Sequence, residues 1–149
     1  MVDMTAAVQR MSATDAVHLA KVGYIFIDVR TVEEYAKGHP AGALNVPVKH
    51  YGKGGSFRDN PDFIKVIEAL YPKETKLLLI GKIGKRSLEA GEMLIAAGYT
   101  TIADLRPGVI GLIGGDGRYL ENGWRTLGLP EETFTEGGTY REMREKAGL

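Results

Sequence analysis

The chain of 149 residues contains no cysteine. This absence excludes disulfide bonds, thiolate metal ligands and any mechanism in which a thiol of this chain is the nucleophile. The chain also lacks an excess of charge of either sign, because 19 basic and 19 acidic residues give a formal net charge of zero. Composition therefore gives no reason to expect a nucleic acid or an anionic membrane as a partner.

Long apolar segments are missing as well. No uninterrupted apolar run approaches the roughly 20 residues that a transmembrane helix needs. Residues 1–10 do not combine a basic start with the apolar run of a signal peptide. The three histidines are scattered and show no metal-ligand spacing. We therefore expect a cytoplasmic protein without a bound metal, and no motif in the sequence implies a cofactor.

What remains is typical of a globular domain, with 44% hydrophobic and 26% charged residues. A chain of this length buries a full core without help from disulfides or metals. We expect one domain over residues 1–149, with its core at 12–130 and a C-terminal tail that contains a short helix at 131–149.

Apolar patterns along the chain alternate between strand and helix signals. Short runs of aliphatic, β-branched and aromatic residues predict strands at 24–29, 43–46, 77–80 and 101–105. Helical spacing, with capping residues such as Ser12, Thr31 and Asn60, predicts helices at 12–23, 31–38, 60–72, 86–98 and 140–147. Glycine-rich segments at 49–59 and 107–117 are predicted to be irregular loops, and Trp124 is expected in the core.

This alternation predicts an α/β fold. We expect a mainly parallel central sheet with helices on both faces, in which the aliphatic run at 77–80 is the central strand.

The segment 81–87 has the strongest chemical signal, because it joins that central strand to a predicted helix. Ligands of open α/β sheets bind beyond the carboxyl ends of the strands, and a helix N-terminus there offers free N–H groups and the positive end of the helix dipole. Lys82, Lys85 and Arg86 add three positive charges. The pattern favours a site for a small oxyanion, although a tight turn with solvated lysines has nearly the same pattern.

Three segments together resemble the rhodanese (sulfurtransferase) family. Segment 27–35 contains Asp-Val-Arg at a predicted strand end. Segment 38–47 reads Gly-His-Pro-Ala-Gly-Ala-Leu-Asn-Val-Pro, similar to the family's Gly-His-Ile-Xaa-Gly-Ala-Xaa-Asn-Ile-Pro signature. Segment 77–98 is similar to the family's strand, active loop and helix. The three occur in the family's order over residues 12–130, and they imply the rhodanese-like fold.

The resemblance also assigns the positions of the active loop. In the family this loop is a nucleophilic cysteine, four residues, an arginine and usually a serine, and here Gly81 stands at the position of the cysteine. Without a thiolate the chain cannot hold a sulfane sulfur covalently, so we expect no catalytic residue in it. Arg86 is the motif residue, and we expect it to contact the anion more strongly than Lys82 because arginine binds in a bidentate manner. The anion-binding loop is expected to comprise Gly81, Lys82, Ile83, Gly84, Lys85, Arg86 and Ser87.

Other polar residues of the matching segments are expected to have structural roles. Asp28 and Arg30 should form a pair at a strand end, and His39 should be a hydrogen-bonded residue rather than a base or a metal ligand. Glu33 and Glu34 are expected on the solvated face of a short helix.

The sequence leaves three hypotheses for the function open. The first is a catalytically inactive rhodanese-like module whose 81–87 loop binds a small oxyanion (sulfate, thiosulfate or phosphate) or a sulfur-carrying protein. The second is a sulfurtransferase-type enzyme that acts on thiosulfate or a persulfide with a thiol supplied by a partner. The third is a purely structural interaction domain. The segment 107–117 departs from the family's usual Gly-Gly-Xaa-Xaa-Xaa-Trp ending. The resemblance therefore does not predict the residues that would border the ligand pocket there.

Overall fold

The computed structural model describes residues 6–149. The strands are β1 (Gln9–Met11), β2 (Ile25–Asp28), β3 (His39–Pro40), β4 (Leu44–Asn45), β5 (Lys49–Tyr51), β6 (Phe57–Asp59), β7 (Leu77–Ile80), β8 (Ile102–Leu105), β9 (Gly111–Ile113), β10 (Tyr119–Asn122) and β11 (Glu131–Glu132). The helices are α1 (Ala13–Lys21), α2 (Val32–Lys37), α3 (Phe63–Leu70), α4 (Lys85–Ala96) and α5 (Tyr140–Ala147).

No helix within the described residues is long and apolar enough to cross a membrane. The expectation about a signal peptide rests partly on residues 1–5, which lie outside the described range.

Five parallel strands form the central sheet, in the order β1-β8-β7-β2-β4. The predicted parallel sheet is confirmed, and so is the central position of 77–80, because β7 lies between β8 and β2 and all four of its residues are fully buried. A run of four aliphatic residues suits this place, since both faces of a central parallel strand are covered. The three-residue edge strand β1 has no counterpart among the predicted strands.

The side chains of β7 enter two hydrophobic layers, because successive residues of a strand point to opposite faces. Leu77 and Leu79 pack in the layer that contains α3, α4 and α5. Leu78 and Ile80 pack in the other layer, with α1 and the ring of Trp124. Helices therefore cover both faces of the sheet, as predicted, and Trp124 lies in the core.

Capping residues explain where the helices begin. The Ser12 hydroxyl accepts the N–H of the third residue of α1. Thr31 on α2 and Thr139 on α5 each form a reciprocal capping box with a glutamate three residues later. Such caps satisfy N–H groups that a helix start leaves without an intrahelical partner. The predicted helices after Ser12 and Thr31 and the predicted C-terminal helix are thereby confirmed.

Helix α3 begins after Asp62 rather than at the predicted cap, Asn60. The buried side-chain amide of Asn60 donates to the carbonyl of Pro47 and to the hydroxyl of Tyr140, while its Oδ1 accepts the N–H of Asp62. Asn60 therefore joins the segment before α3 to helix α5. The inner face of α5 belongs to the core, since Met143 is fully buried in the layer that contains α3.

Two segments predicted to be irregular loops take part in antiparallel hairpins, so the prediction is wrong for 49–59 and, within 107–117, for the strand residues 111–113 only. Segment 49–59 folds as β5 and β6 around a glycine-rich turn. In segment 107–117, β9 forms and pairs with β10. The turn between them contains Asp116 and Gly117, a common hairpin dipeptide whose glycine has a φ of +80°. The strands are too short for alternation to reveal them, but the turn chemistry was a usable signal.

Candidate functional site

The loop between β7 and α4 is built around Gly84, the N-terminal cap of α4. Gly84 adopts a left-handed conformation with a φ of +89°. A Cβ atom there would lie 2.0 Å from the carbonyl oxygen of Arg106, so no other residue fits without a backbone shift. The predicted order of strand, tight loop and helix is confirmed, and α4 begins at Lys85, one residue before the predicted start.

The backbone N–H groups of residues 82–87 have no backbone hydrogen-bond partner within residues 6–149. The reason is that the first turn of a helix has no preceding turn to bond with. The carbonyl groups of Gly81 and Lys82, in contrast, accept the N–H groups of Val109 and Ile110. Free donors at the positive end of the α4 dipole suit an anion.

A buried carboxylate anchors the loop to the sheet. Asp104, on β8, is fully buried. Its oxygens accept hydrogen bonds from Nε and Nη2 of Arg10 at 3.0 and 2.9 Å and from the hydroxyl of Ser87 at 2.7 Å. Arg10 Nη2 also donates to the carbonyl of Gly84 at 2.6 Å. The Ser87 hydroxyl is therefore committed to Asp104.

Arg86 is held by Glu34. Its Nη1 and Nη2 atoms lie 2.6 and 2.9 Å from the two carboxylate oxygens of Glu34, and the two side chains are 11% and 13% exposed. The expectation that Glu34 is solvated is therefore wrong, whereas Glu33 is exposed as expected. Because a carboxylate already uses the guanidinium in a bidentate manner, the expected ranking of Arg86 above Lys82 as an anion contact loses its basis.

The same ion pair sets the protonation of Glu34. Burial alone raises the pKa of this carboxyl, but the hydrogen bonds and charge of Arg86, together with the N–H and hydroxyl of Thr31, outweigh it and lower the pKa from 4.5 to about 2. Glu34 is thus ionised at neutral pH and offsets the positive charge of Arg86. Since Glu34 also completes the capping box of α2, the ion pair ties α2 to α4.

A pocket of about 360 Å³ lies beside the loop. The β5–β6 hairpin contributes Tyr51 and Phe57 to its wall, and the loop contributes Lys82, Ile83 and Lys85 together with Arg86. Both lysines are exposed, and in the described part of the chain neither has an ion-pair partner. The structure thus brings together part of the predicted loop, while Gly81, Gly84 and Ser87 are buried and do not line the pocket. Tyr51 and Phe57 were missed because segment 49–59 was predicted to be irregular.

Gly81, at the position of the family's cysteine, is buried at the end of β7. Gly81 is not among the glycines with positive φ, so its backbone conformation is open to other residues. A Cβ atom there would lie 3.2 Å from the backbone nitrogen of Ser87 and 3.6 Å from its Cβ and Oγ atoms. A side chain at this position therefore requires a shift of a few tenths of an ångström, and its Cβ atom lies close to the backbone nitrogen of Ser87.

Asp28 and Arg30 form a closed pair outside the pocket. The Arg30 side chain donates to both oxygens of Asp28, with Nη2 2.8 Å from Oδ2, and Nη2 also donates to the carbonyl of Gly38 at 2.7 Å. Both side chains are almost fully buried. This geometry agrees with the structural role expected for the pair, because it joins the end of β2 to the residue that follows α2.

His39 is fully buried and uses both ring nitrogens. Nδ1 lies 2.8 Å from the carbonyl oxygen of Tyr35, and Nε2 lies 2.7 Å from the hydroxyl of Thr135. The imidazole also stacks on the Tyr35 ring at 3.6 Å. These contacts agree with a structural role and leave no ring nitrogen for a ligand. Within residues 6–149, no group of three or more His, Asp or Glu side chains is placed to hold a metal ion.

Comparisons with known proteins point to one family. The family model described as Rhodanese-like domain matches residues 6–111. The chain is 33% identical over 116 residues to thiosulfate sulfurtransferase 16, chloroplastic, of Arabidopsis thaliana. The aligned region covers 78% of this chain and 90% of that protein. The chain is 36% identical over 92 residues to the senescence-associated protein DIN1 of Raphanus sativus, covering 62% of this chain and only 50% of that relative's length. The crystal structure of Rv0390 from M. tuberculosis shares the fold, with a TM-score of 0.70 at 21% identity, covering 87% of this chain and 100% of that one.

Proposed function

Because the chain belongs to the rhodanese-like domain family and has no cysteine, we propose that it is a non-catalytic member whose 81–87 loop binds a small oxyanion. The anion is sulfate, thiosulfate or phosphate. The observation that carries the proposal is the run of free backbone N–H groups at residues 82–87, next to two exposed lysines without acidic partners.

The missing sulfur is the reason for proposing a binding role. Sulfur transfer of the kind implied by the family proceeds through a persulfide on a cysteine thiolate. Gly81 offers no side-chain atom for this step. The Ser87 hydroxyl donates to Asp104, and the ammonium group of Lys82 is no substitute for a polarisable sulfur.

We expect the anion to bind the backbone amides first and the two lysines second. Amides fixed at the start of a helix need little rearrangement to surround an oxyanion. Lys82 and Lys85 supply charge that is not already offset, whereas Arg86 is paired with Glu34. Binding should be weak and should fall as the salt concentration rises, because exposed charges are screened beyond about 10 Å at 0.1 M ionic strength.

A titration of the ¹⁵N-labelled protein with sulfate, thiosulfate or phosphate tests this proposal. The amide resonances of residues 82–87 should shift in a saturable way, and Lys82→Ala should weaken the affinity about threefold. Lys21→Ala is the matched control, since Lys21 is also exposed but lies at the end of α1, which leads to the start of β2, whereas the loop follows the other end of the parallel strand β7. An absence of saturable shifts at 82–87 with all three anions contradicts the proposal.

A thiosulfate:cyanide assay on the same preparation tests the absence of catalysis. We expect no turnover above a protein blank, because no thiol can accept the sulfur. Turnover that follows the chain through successive purification steps would refute this part of the proposal.

A further inference from the structure

The pocket beside the loop is larger and more apolar than a bare oxyanion requires. It measures about 360 Å³, whereas a water molecule takes up about 30 Å³ in the liquid. Three apolar residues in its wall, Tyr51, Phe57 and Ile83, are 40%, 46% and 38% exposed. A cluster of exposed apolar side chains in a pocket commonly marks a binding surface. Anion binding at the 81–87 amides alone does not account for it.

The two aromatic side chains form an ordered layer. The ring centroids of Tyr51 and Phe57 are 5.1 Å apart, and the ring planes differ by 17°, so the rings stack across the β5–β6 hairpin. The guanidinium of Arg86 lies 4.5 Å from the centroid of the Phe57 ring, and Glu34 holds Arg86 from α2. The layer is therefore connected to the body of the domain through Arg86 and Glu34.

The cations around the pocket fall into two groups. In the first group, Arg86 is paired with Glu34, and Nζ of Lys49 lies 2.6 Å from Oδ1 of Asp59. Lys82 and Lys85 are exposed and have no carboxylate partner within the described residues. A negative group that binds at these two lysines is therefore attracted without breaking an existing ion pair. Any group attached to that anion then has the aromatic layer as its neighbour, because all of these residues line one pocket.

We propose that this pocket binds a small organic oxyanion, meaning a flat apolar group that carries a sulfonate, thiosulfonate, sulfate ester or phosphate ester. The charged end binds at the 81–87 amides with Lys82 and Lys85, and the flat group packs on Tyr51 and Phe57. This inference rests on the proposed function for the charged end and adds the chemical class of the rest of the ligand. Pockets of roughly 300–1,000 Å³ that combine aromatic walls with a few polar groups are the usual form of small-molecule sites.

Two sulfonates that differ only in their apolar part test the inference. The affinities of 2-naphthalenesulfonate and methanesulfonate are measured by calorimetry, with the amide resonances of 82–87 as a site marker. We expect the naphthalene compound to bind at least about 10-fold more tightly, because an aromatic ring gains from stacking as well as burial. Tyr51→Ala should remove most of this difference and change the methanesulfonate affinity less than about twofold, since Tyr51 contributes no charge. Phe134→Ala is the control, because Phe134 is 65% exposed and does not line the pocket.

Each outcome of this experiment either supports or rejects the inference. Equal affinities for the two sulfonates in the parent protein overturn the inference, and so does a folded Tyr51→Ala variant that keeps the full difference. If Tyr51→Ala fails to fold in thermal unfolding, Phe57→Leu, which keeps an apolar residue in β6, gives the same comparison. If the parent protein binds methanesulfonate at 82–87 but shows no advantage for 2-naphthalenesulfonate, the inference alone is rejected and the proposed function stands. An absence of shifts at 82–87 with methanesulfonate rejects the proposed function and the placement of the charged end together.

Discussion

The 81–87 loop has two parts that are held differently: buried residues, called the floor here, and exposed residues, called the rim. The floor consists of Gly84 and Ser87, which Asp104 ties to the sheet through hydrogen bonds with the Ser87 hydroxyl and, by way of Arg10, with the Gly84 carbonyl. The rim consists of Lys82 and Lys85, which are exposed and hold no partner within the described residues. The floor therefore fixes the backbone amides in place, and the rim leaves charge free for a ligand.

This difference changes the role of the loop's motif arginine. Arg86 follows the family's spacing after the cysteine position, yet its guanidinium is occupied by Glu34 and stacks on Phe57. Arg86 is therefore fixed by a partner, as the floor residues are, and does not carry free charge. Lys82 and Lys85, which the motif leaves variable, carry the free positive charge. A motif position thus identifies the loop, while the partners of its side chains decide what each residue contributes.

The largest expected effect is a loss of stability when the floor of the loop is disrupted. Asp104→Ala leaves Arg10 and the Ser87 hydroxyl without their carboxylate and should lower the free energy of unfolding by about 3–5 kcal/mol, measured by urea unfolding at pH 7. Glu145→Ala is the control, because its ion pair with Arg141 is exposed, and it should change stability by less than about 0.5 kcal/mol. Similar losses in the two variants would show that Asp104 does not anchor the loop.

The next largest effect is on the pH dependence of stability, through the Glu34–Arg86 ion pair. The pKa of Glu34 lies near 2 in the folded protein, below its ordinary value of 4.5, so the pair stabilises fully above pH 4.5 and the contribution is lost as the pH falls towards 2. Glu34→Gln should therefore lower stability by about 2–3 kcal/mol at pH 7, and the gap to the parent protein should close near pH 2.

Urea unfolding at a series of pH values measures this gap. Glu33→Gln removes an exposed carboxylate from the same helix and should stay within about 0.5 kcal/mol of the parent protein. A gap between Glu34→Gln and the parent that stays constant down to pH 2 would mean that ionisation of Glu34 does not stabilise the fold.

The smallest expected effect is on affinity for sulfate. Arg86→Ala should change it less than about twofold, because the charge of Arg86 is already offset by Glu34. Glu34→Gln should instead strengthen sulfate binding about 3- to 10-fold, since it frees the guanidinium for the anion. Glu33→Gln removes the same charge without touching Arg86 and controls for long-range attraction. A folded Arg86→Ala variant that no longer binds sulfate would place Arg86 among the ligand contacts after all.

The fold was predictable where neighbouring residues determine it. The aliphatic run of β7, the capping residues Ser12 and Thr31 and the helical spacing of α4 are local patterns, and each predicted element formed. The β5–β6 hairpin was not found, because its three-residue strands are too short for alternation to be read. The aromatic wall of the pocket, which comes from this hairpin, was missed for the same reason.

The side-chain pairs that hold the site were not predictable, because the two residues of each pair are far apart in sequence. Arg86 and Glu34 are 52 residues apart, and Arg10 and Asp104 are 94 residues apart. Asp104, a carboxylate within the strand at 101–105, is fully buried and therefore needs a partner. No local pattern identifies that partner, since the parallel pairing of β1 with β8 brings it into place.

Gly81→Cys tests whether the loop keeps the family's anion-binding geometry and has lost only the cysteine sulfur. The backbone conformation of Gly81 is open to other residues, and a Cβ atom there would lie 3.2 Å from the nitrogen of Ser87, which must shift by a few tenths of an ångström. Nearby N–H groups and Lys82 and Lys85 favour a thiolate, so the pKa of the thiol should fall below its usual value of about 8.5. That thiolate should attack the sulfane sulfur of thiosulfate, break its S–S bond and release sulfite, leaving a persulfide on the new cysteine.

The measurement is the intact mass of Gly81→Cys after incubation with thiosulfate, beside Thr100→Cys, which places a thiol at an exposed position before β8. We expect one added sulfur atom on Gly81→Cys and none on Thr100→Cys. A folded Gly81→Cys protein that gains no sulfur and reacts with iodoacetamide no faster than Thr100→Cys would mean that the loop does not keep this geometry.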